Sequence, residues 1–155
     1  MQNKLLFAVS NQTAAEIIIK RAGADKENMG LTNWKGSIVR KQDIYIAKNY
    51  LNGDEIDTLN RLVVIYLETA ELRAKKRIDT TMDFWRENAD KIIRSNDFTL
   101  LEDKGSITNE QMKKLALAEY EQFENRRKAF EAQLADQQDE KELRQLENSL
   151  KTRKK

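Results

Sequence analysis

Residues 54–77 read DEIDTLNRLVVIYLETAELRAKKR, and the spacing of their apolar positions decides the fold class. Ile56, Leu59, Val63, Tyr66, Ala70 and Ala74 recur at alternating threes and fours, which lines them up on one side of an α-helix rather than on alternate faces of a strand. Leu62, Ile65 and Leu72 add a second stripe beside the first, so the pattern predicts a helix with neighbours on more than one side. Asn52 and Glu55 mark its start. The asparagine side chain can accept from an amide of the first turn while the glutamate reaches back to the amide of the cap.

Working outward from this helix, the same signals recur. Downstream, Thr80 to about Asn96 predicts a helix that buries Met82, Trp85, Ala89, Ile92 and Ile93, followed by a turn at "DKG". Thr108 and Gln111 then open a last helix, in which Ala116, Tyr120, Phe123, Arg127, Phe130 and Leu134 keep a 4-3 spacing. That row would form a coiled-coil seam but for its arginine. Beyond Leu134 the apolar pattern stops, and Leu143, Leu146 and Leu150 resume out of phase. Residues 1–134 are therefore expected as one helical domain, and residues 135–155 as a charged helical arm or tail.

Upstream, Thr13 and Glu16 form a capping box before "IIIKRA", so a helix should run to about Ala22 and be the first in the chain. From Ala24 to about Gln42 no period is sustained, which predicts a long ordered loop; "DIYIAKNYL" then resumes a helical pattern up to Asn52 and Gly53. The expected architecture is all-α: an irregular bundle of about five helices with a long ordered loop and an extended C-terminal helix.

A chain of 155 residues without proline is long enough for one core, and a charged fraction of 35% suits long helices with solvated faces. The absence of cysteine removes disulfides, thiolate nucleophiles and zinc-cysteine sites, and the apolar patch near the N-terminus is too short for a signal core. A cytoplasmic, membrane-free setting is expected. Without histidine or a Gly-x-Ser-x-Gly elbow, the usual general base and activated serine are missing too. "GLTNWKG" shares glycine spacing with a phosphate-binding loop, but its second glycine follows the lysine instead of preceding it. No catalytic residue, metal site or cofactor is assigned.

Net charge is only +2, yet residues 1–52 carry eight basic and four acidic side chains, and "KTRKK" ends the chain with four more positives. The first third is thus one of two places where a polyanion meets a favourable field. Within it lies a basic-aromatic group: Arg21, Trp34, Lys35, Arg40, Lys41 and Lys48, with Tyr45 and Tyr50 close in sequence. These residue types contact phosphates and stack on bases. On a helix, Lys41, Tyr45 and Lys48 would share one face. Trp34 also fits a simpler role, pinning the long loop to the core. A rival site would be carboxylate: Glu16, Glu68 and Glu71 as oxygen ligands for magnesium in a nuclease, although helical-bundle metal sites normally add histidine.

"QTAAEIIIKRAGADKENMGLTNWKG" (12–36) and "RKQDIYIAKNYLNGDEIDTLNRLVVIYLETAE" (40–71), with the weaker "TMDFW" (81–85) and "AEYEQF" (118–123), resemble the virulence-associated RhuM family of bacteria and their mobile elements. The likeness runs from about Phe7 to Phe123. The polar residues that carry it are Thr13, Glu16, Asn28, Thr32, Asn49 and Tyr50. RhuM-like proteins occur near restriction systems, in pathogenicity islands and in prophages, and are often described as DNA-binding, without an agreed biochemical activity. Longer members place a helix-turn-helix-like domain ahead of this region, and none is expected here. Many members also carry a histidine near the position of Asn109 and an acidic residue at that of Phe84, so a histidine-dependent reaction is not implied.

The resulting expectation is a non-enzymatic binding or regulatory module in bacterial or phage DNA transactions, with nucleic acid on the basic-aromatic loop. The alternative is a protein-interaction factor that pairs through its helices with itself or with a defence protein. Third comes the metal-dependent nuclease.

Overall fold

Among the described residues five α-helices carry the fold: α1 (Gln2–Ser10), α2 (Ala14–Arg21), α3 (Gly53–Lys75), α4 (Met82–Ser95) and α5 (Asn109–Arg153). The computed structural model describes the backbone of residues 2–153 and the side chains of residues 2–148, and no strand occurs among the described residues. The fold is all-α, as the spacing in residues 54–77 requires.

α3 begins where Asn52 and Glu55 predict. Asn52 Oδ1 accepts from the Glu55 amide at 2.8 Å, and the Glu55 carboxylate accepts from the Asn52 amide at 2.9 Å. Of its main stripe Leu59 is buried and Ile56, Val63, Tyr66 and Ala70 are half-buried, while Ala74 lies in the open last turn. The second stripe departs from expectation: Leu62 is buried, but Ile65 and Leu72 are exposed. α1 and α4 both pack on α3, yet together they cover little more than its Leu59–Leu62–Tyr66 side. Thr81 caps α4, which buries Ala89, Ile92 and Ile93. Trp85 is half-buried against the Tyr66 ring, with centroids 4.8 Å apart. Met82, expected inside, is 65% exposed, because the first turn of α4 overhangs the core.

α1 is the main departure, since α2 was expected to be the first helix. Nine residues with no capping box give little local signal, and tertiary burial supplies the rest. Leu6 enters the larger core cluster, formed with Ile17, Ile18, Met29, Ile44 and Tyr50, whereas Ala8 enters a second cluster with Leu62, Ile92 and Ile93. α1 therefore joins the two cores, and the Lys4 ammonium ties it to Asp90 of α4 at 2.6 Å.

α5 starts at the Thr108 cap, where the Gln111 amide donates to Thr108 Oγ1 at 3.2 Å and Gln111 Oε1 accepts from the Thr108 amide at 3.0 Å. Met112 and Ala116 are buried against the larger core, and Tyr120 and Phe123 pack at its edge. The helix then continues unbroken past residues 134 and 135, with every side chain from Lys128 to Asn148 exposed. Among the described residues no helix is long and apolar enough to cross a membrane.

Candidate functional site

The connection from α2 to α3, residues 22–52, holds most of the residues that the sequence singles out, and its backbone is cross-tied over residues 24–33 and 40–51. Asn28 and Met29 take left-handed conformations (φ 49° and 59°), followed by Gly30 at φ 79°. A Cβ on Gly30 would lie 2.3 Å from the Arg21 carbonyl oxygen, so only glycine lets the chain fold back onto the end of α2. That reversal drives Met29 into the core, fully buried. The Ala24 amide is held by Glu119 of α5 at 2.7 Å.

Thr32 and Asn49 form the next tie. The Thr32 amide donates to the Asn49 carbonyl at 2.7 Å, and its hydroxyl reaches the Leu51 carbonyl at 2.6 Å. Asn49 Nδ2 donates in turn to the Asp43 carbonyl at 3.0 Å. Buried Asp43 closes the Arg40–Asp43 turn by accepting from the Arg40 amide at 2.9 Å. Tyr50 is buried, its hydroxyl donates to the Ile44 carbonyl at 3.0 Å, and burial pushes its phenol far above the ordinary range.

"DIYIAKNYL" is not an α-helix. Two short 3₁₀ turns, Asp43–Tyr45 and Ala47–Tyr50, meet at Ile46, whose φ of −102° and ψ of 103° break the helix. The physical reason lies in the period. Ile44, Ala47 and Tyr50 are all buried, and a spacing of three keeps them on one edge of a 3₁₀ path. Side chains of Thr32, Asp43 and Asn49 take up the backbone groups that an α-helix would have paired. Lys41, Tyr45 and Lys48 consequently do not share a helical face.

Arg21 is absorbed by the fold. Its guanidinium makes two 2.6 Å bonds to the Glu55 carboxylate and one of 2.9 Å to the Tyr50 carbonyl. Those bonds hold the Glu55 carboxyl below and the Arg21 guanidinium above their ordinary pKa values. Lys35, Arg40, Lys41 and Lys48 are exposed, and none has an ion pair among the described residues. Arg40 lies over Gly36, its guanidinium 3.8 Å from where a Cβ would sit, which places it next to Lys35. Arg40, Lys41, Gln42 and Tyr45 line one shallow hollow. Asn33, Trp34, Lys35, Asp43, Ile46 and Asn49 line a second of about 370 Å³ on the same turn. Lys48 instead faces the groove between α1 and α3. The structure thus sets Trp34 with Lys35 in one hollow and Arg40 with Lys41 in the other, and leaves Arg21 and Lys48 outside both. Trp34 is half-buried against the larger core, with its indole N–H buried and unpaired.

Thr13 and Glu16 form the expected capping box, but Glu16 does more than cap. One carboxylate oxygen accepts from the Thr13 amide at 2.8 Å, and the other accepts from the Ser106 amide and hydroxyl at 2.9 and 2.8 Å. The Ser106 amide, then the Thr13 amide, hold the Glu16 carboxyl down to about 2. Glu71 pairs with Lys75 on its own helix at 2.8 Å, and Glu68 is exposed. Glu16, Glu68 and Glu71 are not brought together, and no group of three or more acids among the described residues could hold a metal ion. Asp43, Ser106 and Glu119 were missed from sequence. Only Asp43 left a trace, as a turn former three residues after Arg40.

An all-α chain whose longest connection is folded on itself and presents a small basic-aromatic surface is the class that these elements define. Residues 1–131 match the model of the Virulence protein RhuM family, and the chain belongs to that family. No curated protein and no solved structure matches it significantly.

Proposed function

We propose that the chain is a non-enzymatic binding module of bacterial or phage DNA transactions, and that it holds nucleic acid on the surface built by Trp34, Lys35, Arg40 and Lys41. One observation carries this reading: three exposed cations without ion pairs among the described residues line two neighbouring hollows, Lys35 beside Trp34 in one and Arg40 with Lys41 in the other. Cations already paired in the fold gain little from a phosphate, as Arg21 illustrates. Unpaired ones can release counterions from nucleic acid without giving up an internal ion pair. The excess of basic over acidic side chains in residues 1–52 extends the same field around them.

Fluorescence anisotropy with labelled single- and double-stranded oligonucleotides across a salt series tests the proposal. The double variant Arg40→Ala/Lys41→Ala is expected to bind more weakly, with the slope of log K against log salt reduced by roughly 1.4–1.8, the loss of about two phosphate contacts. Lys48→Ala should change the slope less than either single variant at Arg40 or Lys41. No binding at low salt, or binding unaltered in the double variant, overturns the reading.

A further inference from the structure

The hollow that holds Trp34 has a lining of two kinds. Trp34 and Ile46 are its apolar part: the indole N–H is buried, so the side-chain surface that Trp34 offers is ring carbon, and Ile46 is 46% exposed. The polar part consists of short hydrogen-bonding side chains, Asn33, Asn49 and the buried Asp43, whose Oδ2 already accepts from the Arg40 amide. A space of about 370 Å³ lined in this way suits a nucleobase, which has two flat faces that leave water for apolar surface and an edge of N–H and C=O groups that needs partners. A phosphate is the poorer occupant, since the Asp43 carboxylate repels it and accepts from a base N–H instead.

A duplex does not offer such a base. Its bases are stacked and paired with only their edges within reach, and its major groove is entered by an α-helix or a two-stranded ribbon. Residues 31–46 present neither, only the 3₁₀ turn Asp43–Tyr45. That turn joins the two hollows, because Asp43 lines the first and Tyr45 lines the second, together with Arg40 and Lys41. Each hollow thus has one aromatic ring and at least one unpaired cation, the combination that holds a single strand by its bases and its backbone at once. Resting on the nucleic-acid binding inferred for this surface, we propose that its ligand is single-stranded and that one unpaired base enters the Trp34–Ile46 hollow. Lys35, Arg40 and Lys41 then meet the flanking phosphates, and the neighbouring base lies beside Tyr45.

The test compares a mixed-sequence strand of about 15 nucleotides, alone, annealed to its complement, and as an abasic strand of equal length that keeps the phosphates and lacks the bases. By anisotropy at low salt, the wild type should bind the single strand roughly tenfold or more tighter than either of the others. Trp34 and Trp85 are the two tryptophans of the chain, so in Trp85→Phe the emission reports Trp34; the single strand should change it and the duplex should not. Ile46→Ala, at an exposed position, should keep the helical circular dichroism and weaken single-strand binding roughly threefold to tenfold, whereas Val64→Ala, equally exposed on α3, should leave it unchanged. Duplex or abasic strand bound as tightly as the single strand, or single-strand binding indifferent to Ile46→Ala, overturns this proposal while leaving phosphate binding by the surface intact. No binding of any of the three at low salt overturns both.

Discussion

Residues 22–52 and residues 128–148 are opposite answers to the same question, how a segment with little core of its own is held in one shape. The first has hardly any regular structure, and side chains take the place of a ladder: Arg21 and Glu55 at its ends, Thr32, Asp43, Asn49 and Tyr50 along it, and Glu119 from outside. The second is regular throughout and exposed throughout, with its own backbone bonds and pairs such as Arg144–Glu140 at 3.6 Å. Exposed pairs of this kind contribute little. Irregular backbone, where side chains tie it, can therefore be the firmer of the two.

The largest effect is expected where the connection has no room to adjust. Gly30→Ala places a methyl group against the Arg21 carbonyl in a left-handed conformation, and should cost roughly 3 kcal/mol or more in denaturant unfolding. A loss below about 1 kcal/mol would mean that the reversal after α2 is looser than its geometry.

Next comes Glu16, where the capping box read from sequence is present but is only part of what the carboxylate holds. As a cap alone it would tolerate Glu16→Gln almost without loss, since glutamine can still accept from the Thr13 amide. Because the second oxygen holds Ser106, the variant should instead lose about 1–3 kcal/mol. The pH dependence has a definite sign. A carboxyl held at about 2 in the fold against an ordinary 4.5 stabilises fully above about 4.5, and that contribution is lost as pH falls toward 2. Between these limits the wild type should lose about 1–2 kcal/mol more than Glu16→Gln, after allowance for solvent screening. Parallel pH curves for the two proteins would contradict the assignment.

The smallest effect is expected in the arm. A chain ending at Leu134 should keep cooperative thermal unfolding and change stability by about 0.5 kcal/mol or less. Loss of cooperativity would show that the arm belongs to the core.

What was legible in the sequence follows from which forces are local. α3, α4 and the starts of α2 and α5 are set by caps and a 3.6-residue period, both contained within a few turns, and all were found. α1 escaped because nine residues between two cores owe their helix to distant partners such as Asp90. The segment 43–50 was misassigned because three buried positions at a spacing of three look like part of a helical stripe until Thr32 and Asn49 are seen to take its backbone groups. At the candidate site, the residue types were readable but their engagement was not. Arg21 and Arg40 look alike in sequence, and only Glu55, thirty-four positions from Arg21, separates them.

Amide hydrogen exchange followed by mass spectrometry, with and without an oligonucleotide, tests the contrast between the two regions and the place of binding together. In the free protein, the tied amides of residues 24–33 and 40–51 should exchange slowly, and those of residues 131–148 within the unfolding time of a frayed helix. Added nucleic acid should protect peptides spanning residues 32–46 further and leave residues 131–148 unchanged. Fast exchange across 24–33 and 40–51, or protection that falls on the arm and spares 32–46, would contradict the account.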